Sequence, residues 1–390
     1  MSSNSPAPGA GQMPPQNNGP PYLPTTASLG GLPTPIPDDP ISAVLLALFV
    51  GSAALHMAIF QINLRRSHKF IFSVLLFGFS MARITALAMR LAWASHPTNT
   101  SIAIAANVFV AAGVLLLFLV NLMFAQRVVR AYHPAFGWNT AVRWVFRGLY
   151  ASVVGVLVMV VTVSVHMFFT LDVDVRARER SVQLFAGTYL AVLAFLPIPI
   201  VLVARAAASG RKARHDDEEG TGTKVVREKF GTGRFRTKIW LLLVTSALLT
   251  LGAGFRVGVN FAPRPLANPA WYHSKPAYYC FNYVIELIVV YAYGLARFDR
   301  RFHVPDGAKG PGDYSAGKIG VNREEDVFGP DGDQDGDGDD TSGTAPVGGA
   351  DESEHTWRRS DMTALGDEGE YGGRKSGMTE LEKQPQKQEV

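Results

Sequence analysis

The sequence predicts an all-α membrane protein, a bundle of seven transmembrane helices with a polar tail at either end. Three observations carry the prediction. The 390 residues are 47% hydrophobic and 18% charged, and the apolar ones gather into blocks between residues 41 and 298. Each block runs for about 20 residues or more, enough at about 1.5 Å per residue to cross ~30 Å of hydrocarbon. Lysine and arginine then cluster beside alternate blocks, as the loops on one side of a membrane do.

Residues 1–40 are rich in Pro, Gly, Asn and Ser and are expected to be a disordered tail. They lack the basic start and early apolar core of a signal peptide, so the first apolar helix is expected to act as an uncleaved signal-anchor. Seven spans follow, at about 41–63, 70–94, 101–124, 144–170, 183–204, 238–260 and 277–298. The fourth, RWVFRGLYASVVGVLVMVVTVSVHMFFT, is the plainest. In the fifth, FLPIPIVLV places Pro197 and Pro199 where a kink is expected. The basic and acidic connection 205–237 separates the fifth span from the sixth, and residues 303–390 form an acidic, Gly-rich tail expected to be disordered.

Orientation follows from the basic residues. One side collects LRRSHK (64–69), the 125–143 connection with Arg147, the 205–237 loop and ARFDRRF after the last span. The other collects a tail without Lys or Arg, SHPTNT (95–100), LDVDVRARERS (171–181) with three arginines and three acids, and 261–276 with Arg264 and Lys275. The asymmetry is roughly fourfold, which puts the N-terminus outside or luminal and the C-terminus in the cytosol, in a plasma membrane or endomembrane. Trp93, Trp144, Trp240, Trp271 and Tyr272 fall near span ends, where amphipathic rings are favoured. Small residues at Ala47, Gly51 and Ala54, at Gly148, Ser152 and Gly155, and at Gly254 and Gly258 are read as places of close helix approach.

The charge balance excludes other classes. A net charge of +4 is too small for a nucleic-acid binder, and the single cysteine, Cys280, forbids an intrachain disulfide. EGTGTKVV (219–226) lacks the Gly-Lys-Ser/Thr ending of a phosphate loop. DGDQDGDGDDTS (331–342) begins like a calcium loop but ends in Ser342 instead of Glu. No HExxH, GxSxG or paired intramembrane aspartates occur, so neither catalysis nor a cofactor or metal is expected. Ser360 after Arg358-Arg359 and Ser376 after Arg374-Lys375 are candidate phosphorylation sites in a tail free to meet cytosolic partners. Arg227, Lys229, Arg234, Arg236 and Lys238, interleaved with Phe230 and Phe235, suit anionic lipid headgroups, although topology alone also accounts for such charges.

The chemistry-bearing signal lies inside the spans. A charge at the bilayer centre costs on the order of 3 kcal/mol, so an intramembrane arginine needs a partner. Arg83 falls near mid-depth in the second span, and Arg90 lies seven residues on, on the same face. Glu286, about mid-depth in the seventh span, is the expected mate of Arg83, with Asn282 one turn outward. Arg256 and Asn260 follow Gly252 at four-residue spacing in the sixth span, and Asn107 and His166 fall in outer halves. Together these residues are expected to line an outward-opening polar vestibule floored by an Arg83–Glu286 pair. The cationic excess tilts any ligand toward an anion, while an ion pair that merely fixes helix register is the plain alternative. His56 in the first span is read as a satisfied hydrogen-bonding residue.

GGLPTPIPDDPISAVLLALF (30–49), HMAIFQINLRRSHKFIFSVLLFGFSMARITALAMRLAWA (56–94), IAIAANVFVAAGVLLLFLVNLMFAQRVVRAYHP (102–134) and ELIVVYAYGLARFDRRFHVP (286–305) resemble an uncharacterised fungal seven-span family, domain of unknown function 3112. The resemblance covers most of residues 30–305 and leaves out both tails. It implies a fungal multi-pass membrane protein and supplies no activity and no functional residues. Seven spans also suit G-protein-coupled receptors, but NLMFAQRVV replaces the Asp-Arg-Tyr triplet and the seventh span has no Asn-Pro-x-x-Tyr. Two functional classes stay open: receptor-like sensing of a small ligand, and a transporter or lipid-translocating protein whose Arg/Glu residues line a route.

Overall fold

A computed structural model describes residues 19–22, 26–66, 68, 70–216 (of 210–216 the backbone alone) and 228–315. Among the described residues there is no strand, and seven helices are long and apolar enough to cross a membrane. They are α1 (Pro35–Arg65), α2 (Ile71–Ser95), α3 (Thr100–Tyr132), α4 (Thr140–His166), α5 (Val173–Ser209), α6 (Phe235–Phe261) and α7 (Lys275–Leu295). The protein is a multi-helix membrane protein.

Side chains in the short connections start several of these helices. Asn99 Oδ1 accepts from the backbone of Ser101 (3.1 Å) and Ile102 (3.3 Å) to open α3. Asn139 caps α4 through Ala141 (2.9 Å), and Asp172 caps α5 through Asp174 (2.9 Å) and Val175 (3.3 Å). The caps move boundaries from the hydropathy reading: α5 begins at Val173, ten residues before the expected 183, because the charged VDVRARERS segment is itself helical. Its regular winding breaks at Leu196, before Pro197, as the two prolines require.

Each helix packs on the next in sequence and α7 returns to α1, while α3 also touches α5 and α6. The innermost helix is thus α3, where Leu117, Val120, Leu122, Phe124 and Val128 are fully covered. At the rim, α4 buries Phe146 and Val153 and leaves Val145, Val154 and Val158 exposed, as a lipid-facing helix should. Small residues there do not mark close packing: a Cβ at Gly148, Gly155, Gly254 or Gly258 would meet nothing within 4 Å. The girdle is partial. Trp144, Trp240 and Trp271 are more than half exposed, whereas Trp93 is buried.

Two ends are distinguished by what lies across them. At the first end the N-terminal segment crosses the 167–172 and 262–273 connections, through Tyr22 N–H to the Phe168 carbonyl (2.7 Å), a bridge from Thr26 to Pro265, and Gly30 N–H to the His273 carbonyl (3.1 Å). Residues 26–40, expected as disordered tail, are therefore seated; bonds to neighbouring backbone outweigh their loop-like composition. Gly30 makes this seat possible. Its φ is +82° and a Cβ there would lie 2.5 Å from the Tyr278 ring.

At the second end, residues 228–234 fold back on the chain after α7. Glu228 N–H donates to the Ala131 carbonyl (3.1 Å) and Thr232 N–H to the Arg300 carbonyl (2.9 Å). Gly231, at φ +59°, leaves no room for a Cβ beside the Arg301 carbonyl. Phe230 and Phe235, expected at headgroups, are buried against each other (5.6 Å), with Tyr314 5.7 Å from Phe230. Lys238 turns inward too, donating to the Phe230 carbonyl at 2.5 Å, while Lys229, Arg234 and Arg236 stay exposed. The first part of the expected C-terminal tail, through Tyr314, is thus packed. Arg227, residues 331–342, Ser360 and Ser376 lie outside the described residues.

His303, beyond α7, meets His68 edge to face at 4.8 Å. Burial holds its pKa down at about 4, with the fields of His68 and Arg127 acting the same way and Asp306 and Asp299 opposing. The unfolded chain therefore binds this proton more readily, so the stability from neutral His303 is complete above about pH 6.5 and is lost as pH falls toward 4. Asp299 is also lowered: burial, which raises it, is outweighed by bonds from Arg297 and Asn63. Its contribution is lost only below the ordinary carboxylate range of about 3.9. The melting temperature of the detergent-solubilised protein is expected to fall between those limits, and His303→Gln to flatten the fall. An unchanged slope would contradict this.

Candidate functional site

Four of the eight sequence-predicted residues meet inside the bundle. Arg83 is completely buried, and its guanidinium forks onto Glu286: Nε donates to Oε2 at 2.6 Å and Nη2 to Oε1 at 2.8 Å. Nη1 donates to the Val110 carbonyl of α3 at 2.9 Å. From α6, Arg256 Nη1 reaches Glu286 Oε1 at 3.0 Å and Asn282 Oδ1 at 3.3 Å. Helix spacing explains the convergence. Gly252 sits one turn from Arg256, and a Cβ there would meet the Phe281 carbonyl at 3.1 Å, so glycine lets α6 close on α7. Phe255 and Phe281 stack beside it at 3.8 Å.

Two cations share one carboxylate. Glu286 satisfies Arg83 in a bidentate, charge-assisted geometry and leaves Arg256 with half a partner. The Arg256 side chain is 20% exposed, against 2% for Glu286 and 0% for Arg83. Glu286 is carried just below a π-helical turn, Cys280–Val284, where the wider winding interrupts α7. Such turns occur often at functional positions.

Arg90 belongs to a second cluster, toward the first end. It neither reaches headgroups nor opens onto a vestibule. Its Nε and Nη2 donate to Asp38 Oδ1 at 3.1 and 2.8 Å, and Nη2 also reaches the Gly30 carbonyl at 3.0 Å. The guanidinium lies 4.2 Å from the Tyr278 ring. Asp38, wholly buried, further accepts from Tyr279 Oη (2.6 Å), Thr34 N–H (2.9 Å) and Lys275 Nζ (2.5 Å). Sequence reasoning missed Asp38 because prolines 35, 37 and 40 read as tail; they stand in the first turns of α1, and Asp38 sits among them. An acid in a first helical turn, at the depth of an unpaired arginine, was the available signal.

The remaining three predicted residues stand apart. Asn107 is exposed and donates to the Ala103 carbonyl of its own helix (3.0 Å). His166 bonds Glu179 with 57% of its side chain exposed, and Asn260 is exposed at the end of α6. Depth along the spans, and for Asn260 its spacing from Arg256, fixed their places within single helices but not which faces meet. The vestibule is thus two closed, bonded clusters instead of one open funnel.

A third polar layer lies deeper. Tyr293, fully buried, donates to Asn121 Oδ1 at 2.5 Å and touches Thr245 Oγ1 at 2.8 Å, while Asn121 Nδ2 donates to Ser246 at 2.9 Å. Tyr293→Phe would strand a buried amide oxygen, and a loss of about 1–3 kcal/mol is expected in equilibrium unfolding. Toward the second end, His56 Nε2 lies 3.2 Å from the Val290 carbonyl while Nδ1 is buried without a hydrogen-bond partner, so the satisfied-bond reading holds for one ring nitrogen only. No group of His, Cys, Asp and Glu among the described residues is arranged to hold a metal.

The chain matches two family models of unknown function. Residues 37–219 match a domain of unknown function, DUF7702, and residues 214–303 match a protein of unknown function, DUF3112. The resemblance drawn from the sequence gave DUF3112 most of residues 30–305, whereas its match spans 214–303 and holds the ending after Glu286; most of the quoted segments between 30 and 134 fall in the DUF7702 match instead. The cationic residues of the Glu286 cluster are therefore split between them, Arg83 in one and Arg256 in the other. No curated protein and no solved structure matches the chain.

Proposed function

We propose that this protein is a receptor-like sensor whose small anionic ligand engages Arg256 at the Glu286 cluster. The observation that carries the reading is the surplus cation: two guanidiniums converge on one carboxylate, and the more exposed one is held from one side only. An anion that draws Arg256 away from Glu286 changes the contact between α6 and α7 at the π-helical turn, the place where α7 is least regular. A ligand shifts a conformational balance only by what it gains in one state over the other, and this half-partnered arginine offers such a difference. The expected orientation, N-terminus outside, would place the cluster nearer the outer surface.

The test is thermal stabilisation of the purified protein in nanodiscs by a panel of small carboxylates and phosphates. At least one is expected to raise the unfolding temperature of the native protein and not of Arg256→Gln. A panel with no effect, or an equal effect on both, rejects the site. Reconstitution into proteoliposomes separates the other class: Glu286-dependent flux of the stabilising anion would favour a transporter.

A further inference from the structure

At the second end of the bundle a cavity of about 560 Å³ opens between the end of α3, the start of α4 and the chain after α7. Arg130, Arg143, Arg147 and Lys309 line it, together with Trp138 and Tyr150. None of the four basic side chains forms an ion pair among the described residues. Arg130 Nε and Arg143 Nη2 reach only backbone carbonyls, of Gly137 and Trp138, each at a long 3.4 Å. Arg130 stacks 4.2 Å from the Trp138 ring, and Arg147 lies 5.2 Å from the ring of exposed Trp144. Each guanidinium carries five donors, so most of the hydrogen-bonding capacity here is unspent.

Trp138 is 8% exposed and its indole Nε1 is covered by protein, so Trp138 bounds the cavity as the ring on which Arg130 stacks and does not offer that donor to it. Tyr150 Oη donates away from it, to Gln126 Oε1 at 2.8 Å.

We infer that this cavity binds a phosphomonoester. Guanidinium forks match tetrahedral oxyanions in a bidentate way, and several cations around one cavity suit a dianion better than a single carboxylate. The volume accommodates a phosphorylated headgroup as well as free phosphate. Exposed Trp144 beside Arg147 sets the mouth at the level of a membrane interface, which brings lipid headgroups within reach. This site is separate from the Glu286 cluster, and either stands if the other fails.

The experiment measures binding of three probes to the full chain in neutral-lipid nanodiscs: inorganic phosphate, inositol trisphosphate, and a short-chain phosphatidylinositol bisphosphate. Binding of the lipid probe much tighter than inositol trisphosphate assigns a membrane-anchored headgroup, and binding of inositol trisphosphate or inorganic phosphate at least as tight as the lipid assigns a soluble phosphate. Either supports the site if Arg143→Gln/Arg147→Gln weakens binding at least about tenfold. A charge-matched control, Arg65→Gln/Arg205→Gln, removes exposed cations that do not line the cavity and should leave binding within about twofold. Equal losses in both variants would mean diffuse surface attraction and overturn the proposal, as would no binding of any probe. Should the arginine double variant not fold, Lys309→Gln is read the same way, with a loss several-fold above the control expected.

Discussion

Glu286→Leu is expected to be the most damaging single substitution in the membrane core. It removes the only carboxylate bonded to Arg83 and Arg256 among the described residues, leaving two guanidiniums facing each other. Breaking a buried pair costs about 3–5 kcal/mol, and here the repulsion of a second cation adds to it. Neutral interhelical hydrogen bonds in membranes contribute only about 0.6 kcal/mol on average, so no ordinary contact in the bundle compensates. The readout is the yield of monodisperse protein and its unfolding temperature in detergent. Arg83→Met should be milder, because Glu286 keeps Arg256 at 3.0 Å. Adding Arg83→Met to Glu286→Leu should restore much of the loss, since Arg256 alone retains access to the bundle surface. An exchange of charges, Arg83→Glu with Glu286→Arg, should recover only in part, as Arg256 then faces the new arginine; adding Arg256→Gln should complete it. Native-like yield for Glu286→Leu alone would show that the cluster does not hold the helices.

Asp38→Leu is the second. Its carboxylate neutralises Arg90, which is 4% exposed, and also bonds Tyr279, Thr34 and Lys275. A loss of about 3–5 kcal/mol is expected from the unpaired buried arginine. It should be accompanied by release of the N-terminal crossing, seen as faster amide exchange or proteolysis around residues 26–34. Lys275 is more exposed, so Lys275→Gln should cost no more than about 1 kcal/mol. Equal losses from the two substitutions would mean that Asp38 acts through the rim and not through Arg90.

The residues made some of this legible and hid the rest for physical reasons. Span number and the Arg83–Glu286 pair were readable because lipid imposes a length on apolar runs and a partner on buried charges. Asp38 escaped because composition speaks about segments, while one carboxylate with a full set of donors can seat a segment that composition calls loose. Asn260 was misplaced because four-residue spacing gives an azimuth on one helix and says nothing of which neighbour occupies that direction, and Asn107 and His166 because depth alone says nothing of which way a side chain faces. Phe230 and Phe235 misled in the opposite way: aromatics among cations suit a membrane surface, yet the Phe302 and Tyr314 rings offered Phe230, and the Tyr132 ring offered Phe235, a closer partner.

The wide turn in α7 decides what that helix is able to address. In uniform winding Tyr279 and Glu286, seven residues apart, would stand nearly above one another, as Arg83 and Arg90 do on α2. One extra residue in the turn swings Tyr279 by roughly 100° from that line, and its hydroxyl lies between α1 and α2, 2.8 Å from Ser42 and 3.2 Å from Arg90 Nε, while Glu286 stays on Arg83. A single rod thereby grips two neighbours at two depths. Excising one residue there would untwist the grip and oblige it to release either the Tyr279 contacts or the hold on Arg83.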